Sequence, residues 1–201
     1  GGHFMRLHPL VIRFAYPSWF LPFVELEQQA VSMRVFESQI IPGLLQTEDY
    51  ARAMLAAVRP DSLEDLVAAR MSRKDVFDRE SRPRTWFVVD EYVLLRHIGG
   101  TAVMRSQLEH LLKEGEEPRT VVQVVPRSVA SHPGLSGAFT VLSFDKGADV
   151  LYVEGFPKGR LALEASEVTA ADHAYDLLSA MALSPKASAD LIGTHLKELG
   201  Q

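Results

Sequence analysis

The chain contains no cysteine in its 201 residues, which removes disulfides, thiolate nucleophiles and cysteine-based zinc sites together. It also lacks the roughly 18 to 20 consecutive apolar residues that a membrane span requires. The stretch from His8 to Glu27 is rich in Leu, Phe and Trp, but Pro9, Pro17 and Pro22 interrupt it. With no small-residue cleavage site, it reads as neither a signal peptide nor a spanning helix. A cytoplasmic location without membrane contact is the expectation. A basic excess is missing as well: 21 Lys and Arg stand against 26 Asp and Glu, a formal net charge of −5. That balance is the reverse of what holding a phosphate backbone requires, so no direct nucleic-acid contact is expected from this chain. The densest basic cluster, Arg70, Arg73, Lys74, Arg79, Arg82 and Arg84, is interrupted by Asp75, Asp78 and Glu80. It reads as a solvated helix end and loop.

Signatures of common chemistries are absent too. The seven histidines stand at 3, 8, 97, 110, 132, 173 and 195, with no HxH, HExxH or HxxxH spacing, so no metal site is expected. There is no GxSxG elbow and no Gly-rich phosphate cradle, so no cofactor is expected either. Gly99-Gly100 reads as a connector in which Thr101 caps the following helix.

What remains is an ordinary globular composition, 47% hydrophobic and 23% charged, in a chain long enough to bury a core unaided. Gly1 to Phe4, ahead of Met5, read as an appended remnant, and residues 1–18 as remnant plus lead-in. Residues 19–201 read as a single domain. Phe23 to Phe36 has apolar residues at roughly helical spacing, with Pro22 at its start. Pro42-Gly43 punctuates the chain, and Thr47 with Glu48 and Asp49 forms the cap and acidic first turn of a helix to Val58. A further helix runs from Ser62 to about Phe77, with Leu63, Leu66, Val67, Arg70 and Met71 on one face.

Beyond residue 84 the pattern turns β-prone. Strands are expected at Thr85 to Val89, 120–126, 136–144, 148–156 and Arg160 to Leu163, with a hairpin at Asp145-Lys146-Gly147. A helix lies at Ala102 to Leu112. Two more close the chain, Ser166 to Ala182 and Ser184 to Leu199, the latter with Ser184 as cap and Pro185 in its first position. The sum is an α+β fold: a mostly antiparallel sheet of four to five strands flanked by N-terminal and C-terminal helices.

Several polar residues stand out. Asp90, Glu91 and Glu154 fall at or near strand ends, where carboxylates usually bond loop amides or pair with arginine, here Arg96 or Arg160. Glu154 alternates with Val150 and Tyr152, so that face is either wet or the carboxylate lines a cavity. His132, in Ser131-His132-Pro133-Gly134, suits a turn residue, a donor to a ligand or a general base, in that order. The aromatics Phe14, Tyr16, Trp19, Phe20 and Phe23 suit a lid, an interface or core packing.

The blocks PGLLQTEDYARA at 42–53, DE-x-x-L-x-R at 90–96 and HPGL-x-G-x-F at 132–139, with VLYVEG and a final ALSPKASADLI, occur in one order over residues 19–197. In this the chain resembles the uncharacterised C-terminal effector or sensor domain of XRE-type helix-turn-helix regulators of streptomycetes and related actinobacteria. Members of that family usually carry a helix-turn-helix ahead of the segment that begins here at Trp19. About eighteen residues precede Trp19 here, so the DNA reader is expected to be trimmed or naturally absent. After VLYVEG the family continues with an aromatic in the next short strand. Here that strand holds Leu161-Ala162-Leu163, which implies a less aromatic pocket.

The resemblance implies a ligand-sensing or partner-binding domain that does not bind DNA by itself. It would take a small-molecule effector or a small protein partner, dimerise, and act by population shift. Candidate ligand contacts are Gln46, Arg96, His132, Tyr152 and Glu154. The alternative is a stand-alone, cofactor-free enzyme of specialised metabolism (a cyclase, isomerase or hydrolase) using Asp90, Glu91, His132 and Glu154. A purely structural interaction module is the third reading.

Overall fold

A computed structural model describes residues 16–200. Phe14 and the remnant therefore lie outside the described residues. The first helix, α1 (Leu21–Glu27), is opened by Pro22 in its first turn. It is far shorter than the helix expected to run to Phe36. The chain turns at Gln28 to Ala30 and becomes strand β1 (Ser32–Glu37). Period-two burial overrides the apparent helical spacing. Met33 and Val35 enter one core cluster, while Phe36 enters another and Arg34 reaches Asp172 at 3.0 Å.

A 3-10 turn (Gly43–Leu45) leads to α2 (Glu48–Ala56), whose N-cap Thr47 accepts a hydrogen bond from the Tyr50 amide. Helix α3 (Leu63–Ser72) passes directly into a 3-10 turn, Arg73–Phe77. Then come β2 (Arg84–Asp90), the short α4 (Tyr92–Leu95), α5 (Gly100–Glu114) and β3 (Thr120–Val125). Helix α5 starts one residue before Thr101, after Gly99 at φ 78°, and has no side-chain cap. Glycine's access to positive φ sets this start, not the threonine hydroxyl. A 3-10 turn at Pro133–Ser136 precedes β4 (Phe139–Ser143), β5 (Val150–Val153) and β6 (Arg160–Ala162). The last helices are α6 (Ala165–Met181) and α7 (Pro185–Glu198), the latter capped by Ser184.

The fold is mixed α+β, and its sheet has six strands in the order β3-β2-β1-β4-β5-β6. The unforeseen β1 adds the sixth strand and changes the sheet's character. It pairs parallel with β2 and antiparallel with β4, and β2 pairs parallel with β3. The strands beyond β4 are antiparallel. Strand direction thus reverses at the β1–β4 junction, in mid-sheet.

One sheet face packs against α1, α2 and α5 through Met33, Val35, Phe87, Val89, Met104 and Leu108. The opposite face is covered by α6, with Tyr175 and Leu178 against Phe36 and Val88, and with Val168 and Ala171 against Val141 and Leu151. Among the described residues no helix is long and apolar enough to cross a membrane.

Candidate functional site

On the α1 side of the sheet, over the β1–β4 reversal, lies a cavity of about 630 Å³. This is within the roughly 300 to 1,000 Å³ typical of small-molecule sites. The sheet supplies Val35 and Glu37 from β1, Thr140 from β4, and Tyr152 with Glu154 from β5 and its extension. Strict alternation puts each pair on one face. The N-terminal segment supplies Trp19, Phe20 and Phe23, and α3 supplies Leu66 and Arg70, with Arg73 just beyond.

The aromatic wall is continuous. Phe23 stacks on Tyr152 with ring centroids 4.2 Å apart, and Phe20 meets Tyr152 edge-on at 5.7 Å. Of the clustered N-terminal aromatics, Tyr16, Trp19, Phe20 and Phe23 all line the cavity. Tyr16 also donates to the Ala69 carbonyl, tying the segment to α3.

The cationic wall corrects the expectation of a solvated basic cluster. Arg73 is only 7% exposed and is bound to the buried Glu27 by two hydrogen bonds, Nε to Oε2 at 2.8 Å and Nη2 to Oε1 at 2.6 Å. Its guanidinium also lies over Phe20 and Phe23. Arg79 donates to the carbonyls of Gln28 and Ala30, and Arg82 sits over the Phe77 ring. Long cationic side chains from this segment thus wrap the end of α1 and the start of β1.

Arg70 faces the cavity from the apolar stripe of α3, and its Nη1 donates to Gln46 Oε1 at 3.1 Å. Burial, and then Arg73, lower its pKa to about 10. A Cβ at Gly43 would fall 2.8 Å from Arg73 Nη1 and 3.1 Å from Arg70 Nη1. Glycine at this position is what allows both guanidiniums to crowd the turn before α2.

The acidic wall consists of Glu37 and Glu154. Burial, reinforced by the charge of Glu154, pushes the Glu37 carboxyl up to about 8 against the opposing pull of Arg70 and Arg73. Tyr152 donates to Glu154 Oε2 at 3.3 Å, and burial followed by Glu154 raises the phenol above its ordinary range.

The other candidate residues fall elsewhere. Gln46 is fully buried and not on the cavity surface. Its Nε2 donates to the Ile41 carbonyl at 2.8 Å, so it positions Arg70. Asp90 and Glu91 sit at the carboxyl end of β2 and do not line the cavity. Asp90 accepts from the Tyr92 amide and meets His132 Nε2 at 3.0 Å. Glu91 accepts from the Arg127 amide and meets His195 Nε2 at 3.1 Å. His132 is buried against Phe36, and its Nδ1 has no hydrogen-bond partner among the described residues. These pairs pin the loop after β3 and the end of α7 to β2. Arg96 is exposed on the loop before α5. Among the described residues no group of three or more metal-ligating side chains converges.

The HPGL-x-G-x-F block has a packing explanation. A Cβ on Gly134 would lie 2.1 Å from the Phe36 ring, so the turn can rest on the sheet only with glycine there. Glu27, Glu37, Arg70 and Arg73 line the cavity although no sequence motif marks them. The one available signal was Arg70 occupying an otherwise apolar helix stripe.

A family model described as a domain of unknown function (DUF5753) matches residues 20–194. No curated protein and no solved structure matches the chain. The match takes in α1, the whole sheet and most of α7, and with them Phe20, Phe23 and the cationic and acidic walls of the cavity: the chain belongs to the DUF5753 family.

Proposed function

We propose that this protein is the effector-binding domain of an XRE-type helix-turn-helix regulator, and that its effector is a small molecule held in the cavity over the β1–β4 reversal. The observation that carries this reading is the cavity itself, in which an aromatic wall faces a few convergent polar groups at a reversal of strand direction. A cavity lined mostly by apolar and aromatic side chains, with a few convergent polar groups, is the usual form of a small-molecule site. The link to a regulator rests on the resemblance of the ordered sequence blocks. The effector acts by binding one conformation of the regulator more tightly than another. The test is calorimetric titration with metabolites of the source organism, followed by recovery of the bound compound. Saturable binding of a compound recovered unchanged supports the reading. A compound recovered chemically altered overturns it in favour of catalysis.

Catalysis is the second reading, and Glu37 is the observation that favours it. A carboxyl still largely protonated at neutral pH on a cavity wall is suited to general-acid work. It would be the acid of a cofactor-free cyclase or isomerase, in place of Asp90, Glu91 and His132. The Glu37→Gln variant separates the two readings, because it would abolish turnover while leaving an amide able to hydrogen-bond a ligand.

A further inference from the structure

The charges around the cavity do not balance by pairs. A guanidinium carries five N–H donors. Arg73 commits Nε and Nη2 to Glu27. Arg70 has one hydrogen bond among the described residues, to the neutral amide oxygen of Gln46, and no carboxylate among them lies within 4.0 Å of its nitrogens. The two Nη1 atoms converge beside Gly43, both within 3.1 Å of the point where a Cβ would stand. Glu27 compensates one of these two cations. The acidic wall does not pair with the other: Glu154 acts on Arg70 only through space and is hydrogen-bonded by Tyr152, and Glu37 makes no ion pair among the described residues.

A half-buried guanidinium on a cavity wall with no carboxylate directly paired to it is an expensive feature to retain, because it has lost part of its hydration without gaining a contact counter-charge. The expense is recovered when a ligand brings the missing anion, and arginine's planar fork matches an oxyanion through two parallel hydrogen bonds.

We infer that the cavity selects an amphipathic acid, its carboxylate or equivalent oxyanion seated on Arg70 beside Gly43, its apolar body lying along Phe20, Phe23 and Tyr152. The inference rests on the reading of this cavity as an effector site. A cationic ligand is the poorer fit. Arg70 keeps its proton well beyond neutral pH, with its pKa lowered only to about 10. Glu37, pushed up to about 8, is largely uncharged there. The resting cavity thus offers a full positive charge on one wall and a partly silenced acidic wall opposite.

Three probes sharing one dansyl fluorophore test this: dansylaminoundecanoate, its primary amide, and the ammonium compound dansylcadaverine. Each is titrated by fluorescence at neutral pH into the protein and into its Arg70→Met and Arg70→Lys variants. The acid should bind the unaltered protein about tenfold or more tighter than the amide, as expected for a charge-assisted hydrogen bond replacing a neutral one. Arg70→Met should collapse the acid-to-amide ratio towards one, and Arg70→Lys should keep part of it. If Arg70→Met does not fold, the ratio in the unaltered protein and in Arg70→Lys decides the matter. An amide that binds as tightly as the acid, or a preference for the ammonium probe, overturns the oxyanion assignment and leaves the cavity as an effector site. No saturable binding by any of the three overturns both.

Discussion

Glu27 and Arg73 face each other across the junction of α1 and the turn after α3, joined by two hydrogen bonds of 2.8 and 2.6 Å, with Glu27 only 2% exposed. The pair lines the cavity and fastens the aromatic N-terminal segment to the cationic one. Removing either partner strands a buried charge. Glu27→Ala or Arg73→Met should therefore each cost about 3–5 kcal/mol, read from the midpoint of urea unfolding. The double variant Glu27→Leu/Arg73→Met should recover much of that loss, because no charge is then left unpaired. A double variant as unstable as the sum of the singles would contradict this account.

Glu37 makes stability fall as pH rises. Its carboxyl, ordinarily at 4.5, is pushed up to about 8 in the fold, so the native state holds a proton that the unfolded state has released. The unfolded state binds fewer protons throughout this window, and unfolding free energy declines with pH by up to about 1.4 kcal/mol per unit from this group. Glu154 faces it with like charge, and Arg70 and Arg73 oppose with unlike charge. In thermal melts at a series of pH values from 4.5 to about 8, Glu37→Gln should gain on the unaltered protein as pH rises. Parallel melting curves at every pH would refute the assignment.

The Asp90–His132 contact is a structural staple outside the cavity, 3.0 Å long. His132→Ala leaves a buried Asp90 oxygen without its partner and opens a gap beside Phe36. The expected cost is about 1–3 kcal/mol of stability. Affinity for any cavity probe should be unaltered in the folded variant, measured at a temperature where it remains native. A large loss of affinity at full stability would restore His132 to the binding site.

Gly134 admits no side chain. The Cβ of Gly134→Ala would need the Phe36 ring, itself fully buried, to move by an ångström or more from a contact of 2.1 Å. An overpacking cost of about 1–3 kcal/mol follows. Gly134→Ala combined with Phe36→Leu should be less destabilised than the two single variants predict together.

Local chemistry made much of the fold legible in the sequence. Thr47 and Ser184 cap their helices as their side-chain oxygens and neighbours imply, and strand β3 and the β4–β5 pair fall where β-branched and aromatic residues alternate between turn signals. Strand β1 was hidden because FVELEQQAVSMRVF has apolar residues compatible with two periods, and only pairing with β2 and β4 selects the extended one.

The candidate site was legible in part. Tyr152 and Glu154 stand out in the sequence because a carboxylate interrupts an apolar strand, and both line the cavity. Gln46, His132 and Arg96 read as ligand contacts in the sequence, and tertiary packing places them elsewhere: one behind Arg70, one on Asp90, one on an exposed loop.

By itself the sequence determined the α+β class, the order and most boundaries of the later elements, and the absence of cysteine chemistry. Capping, alternation and turn preferences act over a few residues and can be read along the chain. The tertiary structure alone decided that β1 lies in mid-sheet and that Arg70 and Arg73, expected in solvent, line a cavity opposite Glu37. Those facts depend on which distant segments share a desolvated space, and the energy of a buried charge is set by partners brought from elsewhere in the chain.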